Sequence, residues 1–167
     1  WYLEAYCRAD STNRPWDQTV IPHRTELISA SDDGHELQLR CTLSDGVIVE
    51  HLIRSTADEV DFQITAHNPT DTTSQVDWGQ PCVRVDRFTG EGPESYINKC
   101  FIFRDNKLAR LPTLDWATQA LYTPGQVWAA KGVDRNDVNP RPLNPLPAGN
   151  GLMGCFSADE SKLLAVA

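Results

Sequence analysis

Four residues combine the side chains that recognise a hydroxylated ligand: His67, Trp78, Arg84 and Asp86. His67 stands on the polar face of an alternating stretch, with Asp61, Gln63 and Thr65. If the next stretch is a regular strand, Trp78, Gln80, Cys82, Arg84 and Asp86 share one face of it. An indole offers a flat apolar surface to a sugar ring, and charged or amide groups make directional bonds to hydroxyls. These four are the candidate ligand-binding residues. The plainer alternative makes Trp78 a core anchor and Arg84–Asp86 a surface ion pair. Acid–base chemistry on a sugar needs two groups with separated pKa values. His67, Glu50, Asp77 and Asp86 are candidates, but a chain with 23 acidic residues always supplies some. No catalytic residue is assigned.

Other chemistry finds little support. The histidines are His23, His35, His51 and His67, and no two are spaced as metal ligands on one helix or strand. Phosphate loops, nucleophile elbows and paired Cys/His spacings are absent. Neither a cofactor nor a metal is expected. His51 lies beside Val49 and Ile53 on an apolar face and reads as a hydrogen-bonded core histidine. The five cysteines, Cys7, Cys41, Cys82, Cys100 and Cys155, form no CxxC, and their odd count leaves at least one unpaired within the chain. They read as small buried hydrophobes rather than as a disulfide framework.

The elements that must position the candidates are strands. The central stretch is Val60 to Phe88. Val60, Phe62, Ile64 and Ala66 alternate with polar residues, Asn68-Pro69-Thr70-Asp71 breaks the strand, and the chain extends again through Trp78 and Cys82 to Phe88. Before it come strands at Arg24–Ala30, Glu36–Leu43 and Gly46–Ser55, joined by turns at Ser31–Gly34 and at Asp45-Gly46. Together these make a meander. After it, strands are expected at Tyr96–Arg104 and Lys107–Leu111, and a last hairpin at Leu152–Phe156 and Lys162–Ala167. Residues 1–23 and 112–130 are ambiguous. Residues 136–151 form a long Pro/Asn/Gly loop, because the prolines forbid helix interiors and central strands.

The 167 residues suit a single domain, 1–167. The net charge of -8 argues against nucleic acid and anionic membrane surfaces as partners. No apolar run approaches a membrane span of roughly 20 residues. The chain begins WYLEAY and ends LLAVA, both in mid-pattern, so a fragment of a larger protein is expected. The compartment stays open, with a lean to outside the cytoplasm.

The run Phe62-Gln63-Ile64-Thr65-Ala66-His67-Asn68-Pro69-Thr70-Asp71 resembles a strand-and-corner pattern of the galactose-mutarotase-like β-supersandwich group. That group includes aldose 1-epimerases and β-domains of polysaccharide lyases and glycoside hydrolases. The resemblance spans Glu36 to Phe88. Where the epimerases carry a histidine early in the second strand, this chain has Gln80-Pro81-Cys82-Val83. The resemblance thus implies an architecture and a leaning toward carbohydrate, not a reaction.

The expected fold is an all-β antiparallel sandwich, a partial or compact supersandwich with little helix. The expected function is carbohydrate binding or processing. The alternatives are a non-catalytic interaction module that pairs another protein chain at open strand edges, and a polysaccharide lyase or hydrolase domain.

Overall fold

A computed structural model describes residues 2–10, 13–93, 95–114, 128–134 and 144–166. The architecture is all-β and antiparallel, in three sheets, with helix limited to single turns. The chain divides into two compact units, Tyr2–Cys82 and Val83–Ala167.

The first unit contains β1 (Tyr2–Cys7), α1 (Trp16–Thr19), β2 (Val20–Ile21), β3 (His23–Ala30), β4 (Glu36–Leu43), β5 (Ile48–Ser55), β6 (Val60–His67) and β7 (Trp78–Cys82). The expected meander is present as a four-stranded sheet in the order β3-β4-β5-β6. Its turns follow from sequence: Gly34 and Gly46 take positive φ, 72° and 92°. A Cβ on Gly46 would also meet Thr70 Cγ2 at 2.6 Å, so the Thr70 side chain would have to shift.

Directly opposed residues share a face, so the register stacks Leu37–Ile53–Phe62, Leu39–His51–Ile64 and Cys41–Val49–Ala66 into one apolar surface. One end of that surface is covered. Cys41, Leu43, Val47 and Val49 pack with Tyr6 and Ile21 of the second sheet, ordered β2-β1-β7, and Val76 joins them. This unit is a two-layer sandwich with its core at that end.

The corner after β6 moves the chain from one sheet to the other. Asn68 organises it: Thr70 N and Oγ1 donate to Asn68 Oδ1 at 3.0 and 2.8 Å, and Asn68 Nδ2 donates to Thr72 O at 2.8 Å. Ser74 Oγ then donates to Asp45 Oδ2 at 2.7 Å, tying the corner to the β4–β5 turn. The strand that follows is shorter than expected. It ends at Cys82 instead of running to Phe88, because Asp86–Thr89 closes into a helical turn, α2, ended by Gly90 at φ 70°.

The second unit is built on a four-stranded sheet, β11-β10-β8-β9, made of β8 (Cys100–Arg104), β9 (Lys107–Arg110), β10 (Met153–Phe156) and β11 (Leu163–Val166). Asp105 and Asn106 both take positive φ, 51° and 60°, which suits a two-residue hairpin loop. The last hairpin is as expected, and Asp159 braces its turn by accepting from Ser157 Oγ at 2.7 Å and Ser161 Oγ at 2.8 Å. The strand expected from Tyr96 starts only at Cys100. Tyr96–Lys99 is a 3-10 turn seated on Gly92, whose carbonyl accepts from Tyr96 N at 3.0 Å. One face of the sheet carries the core of Ile97, Cys100, Ile102, Leu111, Ala148 and Cys155. On the other, Phe101 packs against Phe103 and Phe156.

Of the long loop, residues 135–143 lie outside the described residues. Residues 144–151 hold no strand or helix, only a single bridge from Ala148 to Ala130. Residues 115–127, the larger part of the ambiguous 112–130 stretch, also lie outside them.

Candidate functional site

β6 pairs only with β5, and β7 only with β1, among the described residues. Each is therefore an edge strand, and the sandwich of the first unit is open between them. Pro81 fits this place, since a proline cannot serve a central strand. A cleft of about 580 Å³ occupies the opening. Val47, Val49, Ile64, Ala66, Val76 and Pro81 give it apolar walls, and His67, Asn68 and Ser74 give it a polar end.

Tyr6 lines the cleft but is itself buried, with its hydroxyl turned to a hidden cluster. Tyr6 Oη and His51 Nε2 lie 3.0 Å apart. Cys41 Sγ is 3.5 Å from the same nitrogen and 3.2 Å from Thr25 Oγ1. The Tyr6 ring meets His23 edge-on at 4.9 Å. Burial pushes the Tyr6 phenol well above its usual range, with a further contribution from Cys41. Burial also pulls His51 down, aided by His23. Phenol and imidazole are thus both held neutral near pH 7. Tyr6, Cys41 and His51 are each 3% exposed, and of the three only Tyr6 lines the cleft. His51 is the hydrogen-bonded core histidine that the sequence pattern suggested.

The structure brings one of the four candidate ligand residues to the cleft, His67. Trp78 lies elsewhere in the same unit. Gly79 and Pro81 line the cleft, and Trp78 and Gln80 alternate with them on the other face of β7, opposite Cys7 and Ala5. Trp78 Nε1 and Gln80 Oε1 are buried there without a hydrogen-bond partner among the described residues. Arg84 and Asp86 belong to the second unit, beyond the end of β7 and at the start of α2. Glu50 sits on the polar face of the four-stranded sheet, where its Oε1 is 2.8 Å from Arg40 Nη2. Asp77 immediately precedes β7, its N–H bonded to Cys7 O at 2.9 Å. Of the acid–base candidates, the cleft therefore holds His67 and no second member.

The wall residues Val47, Ile64, Val76 and Pro81 were not singled out by sequence. For Ile64 and Pro81 the signals are the apolar alternation of β6 and the proline of β7. Joining them requires knowing that the two strands belong to different sheets.

Comparisons with protein families, with curated proteins and with solved structures find no match for this chain. No group of three or more His, Cys, Asp or Glu side chains among the described residues is placed to hold a metal ion. No helix among them is long and apolar enough to cross a membrane.

Proposed function

We propose that the Tyr2–Cys82 unit is a non-catalytic interaction module that captures an extended, apolar segment of another polypeptide. The observation that carries this reading is an apolar cleft lying between two edge strands. An edge strand presents a row of unused N–H and C=O groups to any chain that can add as a further strand. β6 suits such addition: it has eight residues and contains neither proline nor glycine. Its apolar residues are unusually open, with Val60 51% and Ile64 44% exposed. A strand added along β6 gains main-chain hydrogen bonds and directs alternate side chains toward the cleft.

The test is calorimetric titration of the chain with extended peptides that alternate Val, Ile or Phe with polar residues. Binding is expected, and Ile64→Lys, which puts a charge on the wall, weakens it by at least about tenfold. Absence of binding across the panel, or an unchanged affinity in Ile64→Lys, refutes this reading.

A carbohydrate ligand is the second reading, in line with the resemblance of Glu36–Phe88 to the supersandwich group. It is favoured by His67 and Asn68 bordering an aliphatic wall, a mixture that suits hydroxyls around a C–H face. It is weakened by the placement of Trp78 on the other face of β7. A glycan panel titrated in the same way separates the two readings, with His67→Ala as the informative variant.

A further inference from the structure

We propose that Cys100 and Cys155 are a disulfide-forming pair that can tie β8 covalently to β10. The two residues are direct cross-strand partners in the antiparallel register. Opposed residues in such a pair have Cα atoms roughly 4.5–5.5 Å apart, inside the roughly 4.4–6.8 Å that a disulfide spans. Both side chains belong to the same buried cluster, so they point to the same side of the sheet. Both are free thiols here, and Cys100 Sγ lies 3.4 Å from Tyr96 O, a contact that bridging would replace. In the register of the described strands, Cys7 faces Val20 and Trp78, Cys41 faces Thr25 and Val49, and Cys82 faces Tyr2.

The chemistry needs an oxidant, and a small-molecule disulfide such as oxidised glutathione supplies it. One cysteine thiolate attacks the glutathione disulfide and expels one glutathione thiolate. The second cysteine thiolate then attacks the protein sulfur of the mixed disulfide and expels the other. Two protons and two electrons leave the protein, one S–S bond forms, and two glutathione thiols result. In the folded sheet both thiols are buried, and burial pushes Cys100 up to about 11, with Cys155 adding to the effect. Thiolate is therefore scarce at neutral pH, and exchange is slow once the sheet has closed. The bridge forms as the chain folds, or when the β10–β11 hairpin opens locally. Once made, it closes the whole stretch from Cys100 to Cys155, which includes the Pro/Asn/Gly loop, and so restricts the unfolded chain.

The full chain is denatured, refolded in glutathione buffers of increasing oxidised fraction, alkylated, and mapped by mass spectrometry of unreduced peptides. The expected product carries two alkyl groups fewer than the reduced chain and contains a peptide linked through Cys100 and Cys155. Its unfolding midpoint is higher than that of the reduced chain and returns on treatment with dithiothreitol. Cys100→Ser and Cys155→Ser each abolish the link, and Cys7→Ser, Cys41→Ser and Cys82→Ser keep it. The wild-type map decides the question even if a variant fails to fold. Five alkylated thiols in every buffer overturn the proposal, as do links through Cys7, Cys41 or Cys82. A Cys100–Cys155 link that leaves the midpoint equal or lower also overturns it, because the bridge would then not fit the native register.

Discussion

β6 and β8 are both strands of alternating apolar character, yet they end in opposite situations. β8 has a partner on each side, and its first three residues, Cys100, Phe101 and Ile102, are buried. Among the described residues β6 has one partner, and only Phe62 is even half-buried. A strand inside a sheet with both faces covered reads as a continuous apolar run, and Cys-Phe-Ile-Phe is such a run. A strand at the edge needs an apolar residue only at every second position, and it keeps those residues in water unless something covers them. The four-stranded sheet of the first unit leaves Leu27 62% exposed as well. Scattered exposed aliphatics need no explanation, but a row of them on one sheet face beside an open edge is the feature on which the proposed docking rests. Among the described residues, the first strand leaves its outer edge and most of its apolar residues open, and the second is paired on both sides and buried at its start.

The largest expected effect breaks the second half of that contrast. Phe101 is among the largest fully buried side chains and packs on Phe103 and Phe156. Phe101→Ala leaves a cavity under three strands and should cost about 3–5 kcal/mol. Denaturant unfolding of the full chain measures it. A loss under about 1 kcal/mol would mean that β8 is not the organising strand of its unit.

Much of this contrast was legible in the chain itself. The β3–β6 meander follows from alternation and from turn chemistry at Ser31–Gly34 and Asp45-Gly46, which act locally. The Asp105-Asn106 hairpin was legible for the same reason. What could not be read depends on partners distant in sequence. Nothing near Trp78 says that β7 joins β1 across the sandwich, and that pairing turns the indole away from His67. The start of β8 was misplaced because Tyr96 and Ile97 look like strand residues, while the 3-10 turn that claims them is set by the Gly92 carbonyl. The corner at Asn68 was placed correctly, but that it leads into the other sheet follows only from the pairing of β7 with β1.

A titration sharpens the contrast in a different way, since both units hold lowered carboxylates but only the first, among the described residues, holds a lowered histidine. In the first, burial lowers His51 below its ordinary 6.5. The unfolded chain therefore takes up this proton at a higher pH than the folded core does. The contribution is fully present above about pH 6.5 and drains away as pH falls below it. In the second unit, Arg110 and then Lys99 hold Glu160 down to about 2, against an ordinary 4.5. Ser157 and then Ser161 hold Asp159 at about 2, against 3.8. Those contributions persist above the ordinary values and are lost as pH falls through about 2. Amide chemical shifts followed from about pH 7 down to about pH 2 should show β4 and β5 responding before β10 and β11. A first response of β4 and β5 no earlier than that of β10 and β11 would contradict the His51 step. The Glu160 and Asp159 carboxylates are solvent-exposed, so added salt should shrink the second response more than the first.

The smallest expected effect is the one that bears most on function. Ile64 stands on β6 across from His51, with nearly half of its side chain in water. Truncating it to alanine removes little buried surface, so the stability of the free chain should change by under about 1 kcal/mol. The same substitution strips a wall from the cleft and should lower affinity for an extended apolar peptide even though the fold is intact. The two measurements together distinguish a binding surface from an ordinary edge. If Ile64→Ala costs as much stability as Phe101→Ala, β6 is a core strand whose exposure has been misjudged, and the case for an open docking edge fails. If it costs almost nothing and binding falls, Ile64 is kept apolar for a partner, because an exposed strand position that contributes nothing to stability could otherwise be polar.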